Sequence, residues 1–257
     1  MTDRQRSPRA GKNVPAPYQY QFTQPQERPD ERKRRAAAPP PPRAKRRPPI
    51  LRLLLFALLT ALLIAAYLFS AQADANLQAL RQQRAQAQAR HEKDLGYYVQ
   101  MRRVSGYGEL ISRYAQEFQV EPSFISAVIA RESHYDPLAQ SGVGARGLMQ
   151  VMEDTGSWVA SRLGVADYSY ERLYEPELNI RFGAWYISYL SSQLGGDPVM
   201  TASAYHAGVN NVKLWALNLG ADQKTITIEQ IPKENTRDYV AKVMEAYALY
   251  YEYDAGH

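Results

Sequence analysis

"EPSFISAVIARESHYDPLAQSGVGARGLMQ", residues 121–150, admits two readings that lead to different folds. Gly142, Gly144 and Gly147 have the G-x-G-x-x-G spacing of a dinucleotide-binding turn, which belongs to a doubly wound α/β sheet. That turn needs a buried strand running into its first glycine, whereas "ESHYDPLAQS" before Gly142 is polar and broken by Pro137. Asp167 lies where a ribose-binding acid would be sought, but without the strand it has little weight. No Gly-Lys-Ser/Thr follows for a phosphate-binding loop. The glycines are therefore expected to let the backbone turn and approach a ligand closely.

The first half of the stretch reads as a helix. Pro122 suits a first turn, and Ile125, Val128, Ile129 and Glu132 recur at i, i+3, i+4 and i+7. A carboxylate thus falls on the apolar stripe at the C-terminal end. Desolvation and the negative end of the helix dipole both favour its neutral form, and a carboxyl protonated near neutral pH can serve as a general acid. The alternative is a buried glutamate satisfied by an arginine or a backbone donor.

Working outward, the period stays helical. Leu178, Phe182, Trp185, Tyr186, Tyr189 and Leu190 share one face of a helix expected to start at Pro176 and stop at Gly195-Gly196. Val240, Val243, Met244, Tyr247 and Tyr251 form one stripe of a last helix. No alternating strand emerges, since "TITIE" at 225–229 is too short to found a sheet. The expected class is all-α.

Charge is unevenly placed. Residues 1–50 carry 13 Lys and Arg against 4 Asp and Glu, a local +9 that leaves the rest at −4 within a net +5. This stretch is rich in Pro, Arg, Gln and Ala and is expected to be a disordered basic tail, because it has too little apolar surface to offset ordering entropy. It lacks the interleaved aromatics of a nucleic-acid platform, so no nucleic acid is expected as partner. Leu53 to Phe69, "LLLFALLTALLIAAYLF", carries no charge and as a helix spans roughly 25 Å of a core about 30 Å thick. Residues 51–70 are expected to anchor the chain in a membrane. A cleaved signal ending at "AQA" (71–73) is the rival, and a buried core helix a weaker one. Arg43, Lys45, Arg46, Arg47 and Arg52 just before the span put the N-terminus in the cytoplasm and the remainder outside. Residues 71–95, strong helix formers with few large apolar side chains, read as an exposed helical spacer before a compact domain at 96–257.

Four segments of that domain, "ARESHYDPLAQSGVGARGLMQVMEDTG", "EPELNIRFGAWYISYL", "ASAYHAG" and "NTRDYVAKV", resemble the ordered signature motifs of the soluble-lytic-transglycosylase family, whose lysozyme-like domain cleaves bacterial peptidoglycan. The resemblance covers most of residues 105–255 and implies a lysozyme-like domain with a sugar-binding cleft. It implies Glu132 as catalytic acid and base, with Ser133 and Tyr239 near it by hydrogen bonding. Gly147, Met149, Gln150, Tyr205 and His206 fall on the matching substrate-binding segments. His206 replaces the family's usual Asn, and Glu153 stands where a Pro is common.

The implied substrate is the glycan strand of peptidoglycan, cut between N-acetylmuramic acid and N-acetylglucosamine with a 1,6-anhydromuramyl product. One carboxylate suffices if the substrate's N-acetyl group stabilises the oxocarbenium-like centre. Two other readings stay open: a lysozyme-type hydrolase, which would need Asp136, Glu153 or Asp154 to position water, and a catalytically idle wall-binding scaffold. No cofactor is expected. The absence of cysteine excludes disulfides and thiol chemistry, and His134 and His206, without an H-x-x-x-H pair, are a weak zinc signal, so no metal is expected. His91 and His257 are given no role.

Overall fold

The computed structural model describes residues 49–219 and 225–256, and the basic tail as far as residue 48 lies outside them. The chain divides into two units, residues 1–69 and 70–257. The described part of the first is the beginning of helix α1 (Pro49–Ser105). No residue of α1 is buried by protein, and Leu54, Phe56, Leu62 and Phe69 are all exposed. It is the one helix among the described residues long and apolar enough to cross a membrane.

The second unit holds the remainder of α1, then α2 (Gly108–Phe118), α3 (Pro122–Glu132), α4 (Glu153–Leu163), a 3-10 turn (Tyr170–Tyr174), α5 (Pro176–Gln193), α6 (Pro198–Ala207), α7 (Val209–Leu219), a second 3-10 turn (Ile228–Gln230) and α8 (Glu234–Ala255). No strand forms among the described residues, and Thr225 to Gln230 is coil and 3-10 turn rather than sheet. The fold is all-α, as the helical period implies. Prolines occupy the first turns of α3, α5 and α6, where the missing N–H costs nothing. Asp197 caps α6 by accepting from Met200 N at 2.8 Å.

Helix α3 is the core element. Every residue from Ser123 to Ala130 is buried, so the helix is enclosed on all faces instead of presenting a single stripe. It packs chiefly on α8 and also meets α2 and α5. Its serines bond within this interior: Ser126 Oγ donates to Pro122 O at 2.8 Å, and Ser123 Oγ to Asp254 Oδ2 at 2.7 Å. Arg102 of α1 pairs with the same Asp254, and His91 Nε2 lies 3.0 Å from Glu252 Oε2, so both ends of the final turns of α1 are tied to α8.

Two stripes differ from expectation. In α5 the core takes Ile180, Ala184 and Ile187 as well as Leu178, Phe182 and Leu190, whereas Trp185, Tyr186 and Tyr189 are half-buried. Those rings instead cluster with Trp158 of α4, whose centroid lies 4.9 Å from Tyr189 and 5.1 Å from Trp185. In α8 Tyr239 and Tyr250 are the buried tyrosines, Tyr250 donating to Tyr98 O at 3.0 Å, and Tyr251 is exposed. The cause is the same in both: each helix has neighbours on more than one side, which widens the buried arc beyond what one stripe predicts.

Candidate functional site

Glu132 is the last residue of α3, where the chain leaves the core. His134 and Tyr135 then take left-handed φ of 52° and 64°, which turns the backbone into the irregular segment up to Met152. Tyr135 stays buried, its hydroxyl 3.2 Å from that of Tyr250 and pushed up to about 12 by burial. Two isolated antiparallel bridges, Gln140 with Arg146 and Arg146 with Val151, fold the segment back on itself.

The glycines of the opening motif serve this fold. Gly144 has φ +91° and its carbonyl accepts from the Tyr170 hydroxyl. Gly147 has φ +74°, and a Cβ there would collide with Leu173 O and the Asn179 side chain. Its close approach is to protein atoms, while nothing lies within 4 Å of a Cβ placed on Gly142.

Asn179, which sequence reasoning missed, organises the segment from α5. Fully buried, it donates from Nδ2 to Arg146 O (2.9 Å) and Leu173 O (2.7 Å), and its Oδ1 accepts from Met149 N at 2.7 Å. The available signal was an amide between Leu178 and Ile180 in an apolar first turn, where a buried polar group must find partners.

Ser133 Oγ donates to Leu148 O at 2.7 Å, so its hydroxyl fastens the returning backbone and is not bonded to Glu132. Met149 is fully buried, its thioether against Gly183, and its carbonyl accepts from Tyr205 Oη at 2.7 Å. Gln150, at φ 51°, donates from Nε2 to Ala139 O and Gly147 O, both at 3.0 Å.

Around the carboxylate three elements converge. Tyr239 of α8 donates its hydroxyl to Glu132 Oε1 at 2.7 Å. Burial pushes the Glu132 carboxyl up to about 7, against the opposing pull of this hydrogen bond and of the Arg131 charge. Burial and the Glu132 charge hold the Tyr239 phenol well above its ordinary value, so it donates at all working pH. His206 of α6 stacks on Tyr239 with centroids 4.5 Å apart and shares a hydrogen bond between Nδ1 and Thr236 Oγ1 at 3.1 Å. Arg131, also missed from sequence, sets its guanidinium 5.6 Å from the centre of the same ring. Burial and the Arg131 and Lys233 charges push His206 below its ordinary value.

Other carboxylates stand apart from this arrangement. Asp136, Glu153 and Asp154 are exposed, and Asp136 accepts from Leu138 N in its own turn at 2.9 Å. Among the described residues no three His, Asp or Glu converge as a metal site would require. The enclosed geometry can hold one carboxyl neutral near pH 7 and orient it through a phenol.

Residues 109–228 match the family described as "Transglycosylase SLT domain". The chain is 35% identical over 152 residues to the soluble lytic murein transglycosylase of Escherichia coli, covering 58% of this chain and 23% of that one. It is 31% identical over 173 residues to membrane-bound lytic murein transglycosylase C of Yersinia enterocolitica, covering 58% and 48%. Among solved structures it resembles the 70 kDa soluble lytic transglycosylase of Escherichia coli, with TM-score 0.53, 32% identity and 57% and 24% coverage. An inactive glutamate-to-glutamine variant of lytic transglycosylase Slt from Pseudomonas aeruginosa gives TM-score 0.52 at 34% identity, covering 57% and 24%. The chain thus spans between about a quarter and a half of the length of these relatives.

Proposed function

We propose that the chain, whose residues 109–228 match the Transglycosylase SLT domain family, cleaves peptidoglycan between N-acetylmuramic acid and N-acetylglucosamine and releases a 1,6-anhydromuramyl end. The observation that carries this reading is Glu132: a carboxyl at a helix end, held by Tyr239 and pushed up to about 7, with Asp136, Glu153 and Asp154 left in solvent.

In its neutral form Glu132 donates its proton to the glycosidic oxygen as the bond to the muramyl C1 breaks. The substrate's N-acetyl group stabilises the positive centre, which removes the need for a second carboxylate. The Glu132 carboxylate then takes the proton of the muramyl 6-hydroxyl as that oxygen bonds to C1. Water is not consumed, and Glu132 ends as it began. A carboxyl poised near neutrality serves both steps, since acid and base forms are each populated. Tyr239 fixes the rotamer of Glu132 and stabilises its charged form between them.

Ser133, Gly147, Met149 and Gln150 act in this reading by holding the wall of the sugar site through the backbone contacts described. Tyr205 and His206 face it from α6. That a glutamate-to-glutamine variant of the Pseudomonas aeruginosa relative is inactive agrees with a reaction that depends on a carboxyl. Mass analysis of digested peptidoglycan is the test: anhydro products are expected, and products heavier by one water per cut would show a hydrolase instead.

The membrane-bound relatives and the apolar beginning of α1 support a membrane-attached enzyme. In the same reading the basic tail stays in the cytoplasm and the domain reaches the wall from outside, in a single pass.

A further inference from the structure

At the end of α3 remote from Glu132, a groove runs along α5. Three hollows of about 290, 300 and 220 Å³ follow one another there and share their walls. Gln119 lines all three; Ser188 and Ser192 join the first to the second, and Ser191 and Gly196 join the second to the third. Trp185 and Tyr189 stand at one end, their rings nearly parallel at 5° with centroids 5.8 Å apart, and Tyr247 stands at the other. The third hollow reaches Glu121 and Phe124 in the first turn of α3, roughly 15 Å of helix away from Glu132.

The chemistry of this wall is specific. It offers hydroxyls, a carboxamide and aromatic faces, with Glu117 and Glu121 as its charged members. Glu117 is drawn to Arg181 at 3.7 Å, so the centre of the groove is neutral. Ser188 and Ser192 donate their hydrogens to Phe118 O and Tyr189 O, which leaves their oxygens as acceptors. The Gln119 amide and the Ser191 hydroxyl have no partner among the described residues. An anionic peptide or a phosphate finds no cation here, and a purely apolar segment would strand these polar groups. An acetamido sugar matches every part: its hydroxyls and amide pair with the serines and Gln119, and its C–H faces lie on the rings.

We propose that this groove is a second binding site for a neutral glycan strand, separate from the cleft at Glu132. The inference rests on the peptidoglycan reading above. In a wall where strands lie side by side, such a site holds the enzyme on one strand while Glu132 works on another, raising the effective concentration of substrate at the cleft.

The test uses the full chain in detergent carrying Glu132→Gln, so that glycan is bound without being cut, and uncharged oligomers of N-acetylglucosamine as the probe, with the number of oligomers bound per chain counted as well as the affinity. Ser191→Trp fills the groove. Gln119→Gly removes the amide and relieves the left-handed φ of 55° at that position, so loss of binding by this variant is not loss of fold. Each is expected to weaken binding, and the two together by about tenfold or more. Unchanged affinity in both variants, with anhydro products still formed by the wild-type enzyme, overturns the groove while leaving the proposed function standing. Failure of the unsubstituted groove to hold glycan, with no anhydro product from the wild type, overturns both.

Discussion

A single carboxyl held between its two protonation states governs the behaviour expected under the proposed function. Glu132→Gln should lower glycan cleavage by at least about 100-fold, since an amide cannot deliver the proton, and near-native turnover would remove Glu132 from the mechanism. Stability should move the other way. The Glu132 carboxyl lies at about 7 in the fold against 4.5 in the unfolded chain, so ionisation is penalised in the fold. Below 4.5 both states bind the proton and the substitution is neutral; as pH rises toward 7 the wild type loses up to roughly 3 kcal/mol relative to the glutamine form. Melting curves of the two proteins between pH 4 and 8 would show this divergence, and parallel curves would exclude a buried titrating group. Tyr239→Phe removes a hydrogen bond that favours the charged form, so the alkaline limb of activity should move to higher pH as turnover falls; a shift to lower pH would show that the bond acts otherwise. His206 faces Thr236, Tyr239, Arg131 and Lys233, and burial with both cations depresses it below 6.5. Any activity limb due to its protonation lies below that pH and should vanish in His206→Asn. Superimposable pH profiles would leave the imidazole without a catalytic part.

One element, the segment between α3 and α4, has little regular structure and depends on side chains from other elements. Asn179 supplies two hydrogen bonds to it and a third to Leu173 O in the first 3-10 turn, from a helix that begins some forty residues beyond Glu132. Asn179→Leu would strand Met149 N, Arg146 O and Leu173 O in the interior, at a cost of about 3 kcal/mol or more. Gly147→Ala combines a strained φ with a collision against Leu173 O and the same amide, and is expected to destabilise similarly. Both should lower activity while Glu132 remains in place, and chemical denaturation of each variant measures the loss. A change under about 0.5 kcal/mol, the range of ordinary surface substitutions, would mean the segment is held by other contacts.

Across the whole molecule, the sequence falls into a basic stretch, an apolar run at the beginning of α1 and the domain that follows. In the proposed orientation, external protease on intact cells should digest residues beyond about 96 and spare the tail that carries the Lys and Arg. Release of the entire domain into the medium with an N-terminus near Asp74 would show that the span is a cleaved signal. The tie of α1 to α8 through Arg102 and Asp254 means that the last turns of α1 belong to the second unit's packing, well before the first matched residue of the family at 109.

The all-α class, the starts of α3 and α5, the end position of Glu132 on α3 and the apolar run were legible in the sequence, because each rests on neighbours within about one helical turn. The dinucleotide reading of the three glycines failed for the same local reason: no strand precedes them. Local periodicity could not choose which flank of α5 or α8 would be covered, since that depends on how many helices pack against each. Nor could it show that Ser133 turns to Leu148 O, that Met149 enters the core, or that Arg131, His206 and Tyr239 gather around one carboxyl. Glu132 and Tyr239 are separated by 107 residues, and only the packing of α8 on α3 brings the phenol within hydrogen-bond reach. The sequence by itself determined that an acid would sit at a helix end; the burial that makes it a weak acid, and the donor that aims it, exist only in the tertiary structure, because desolvation and long-range hydrogen bonds are properties of neighbours in space.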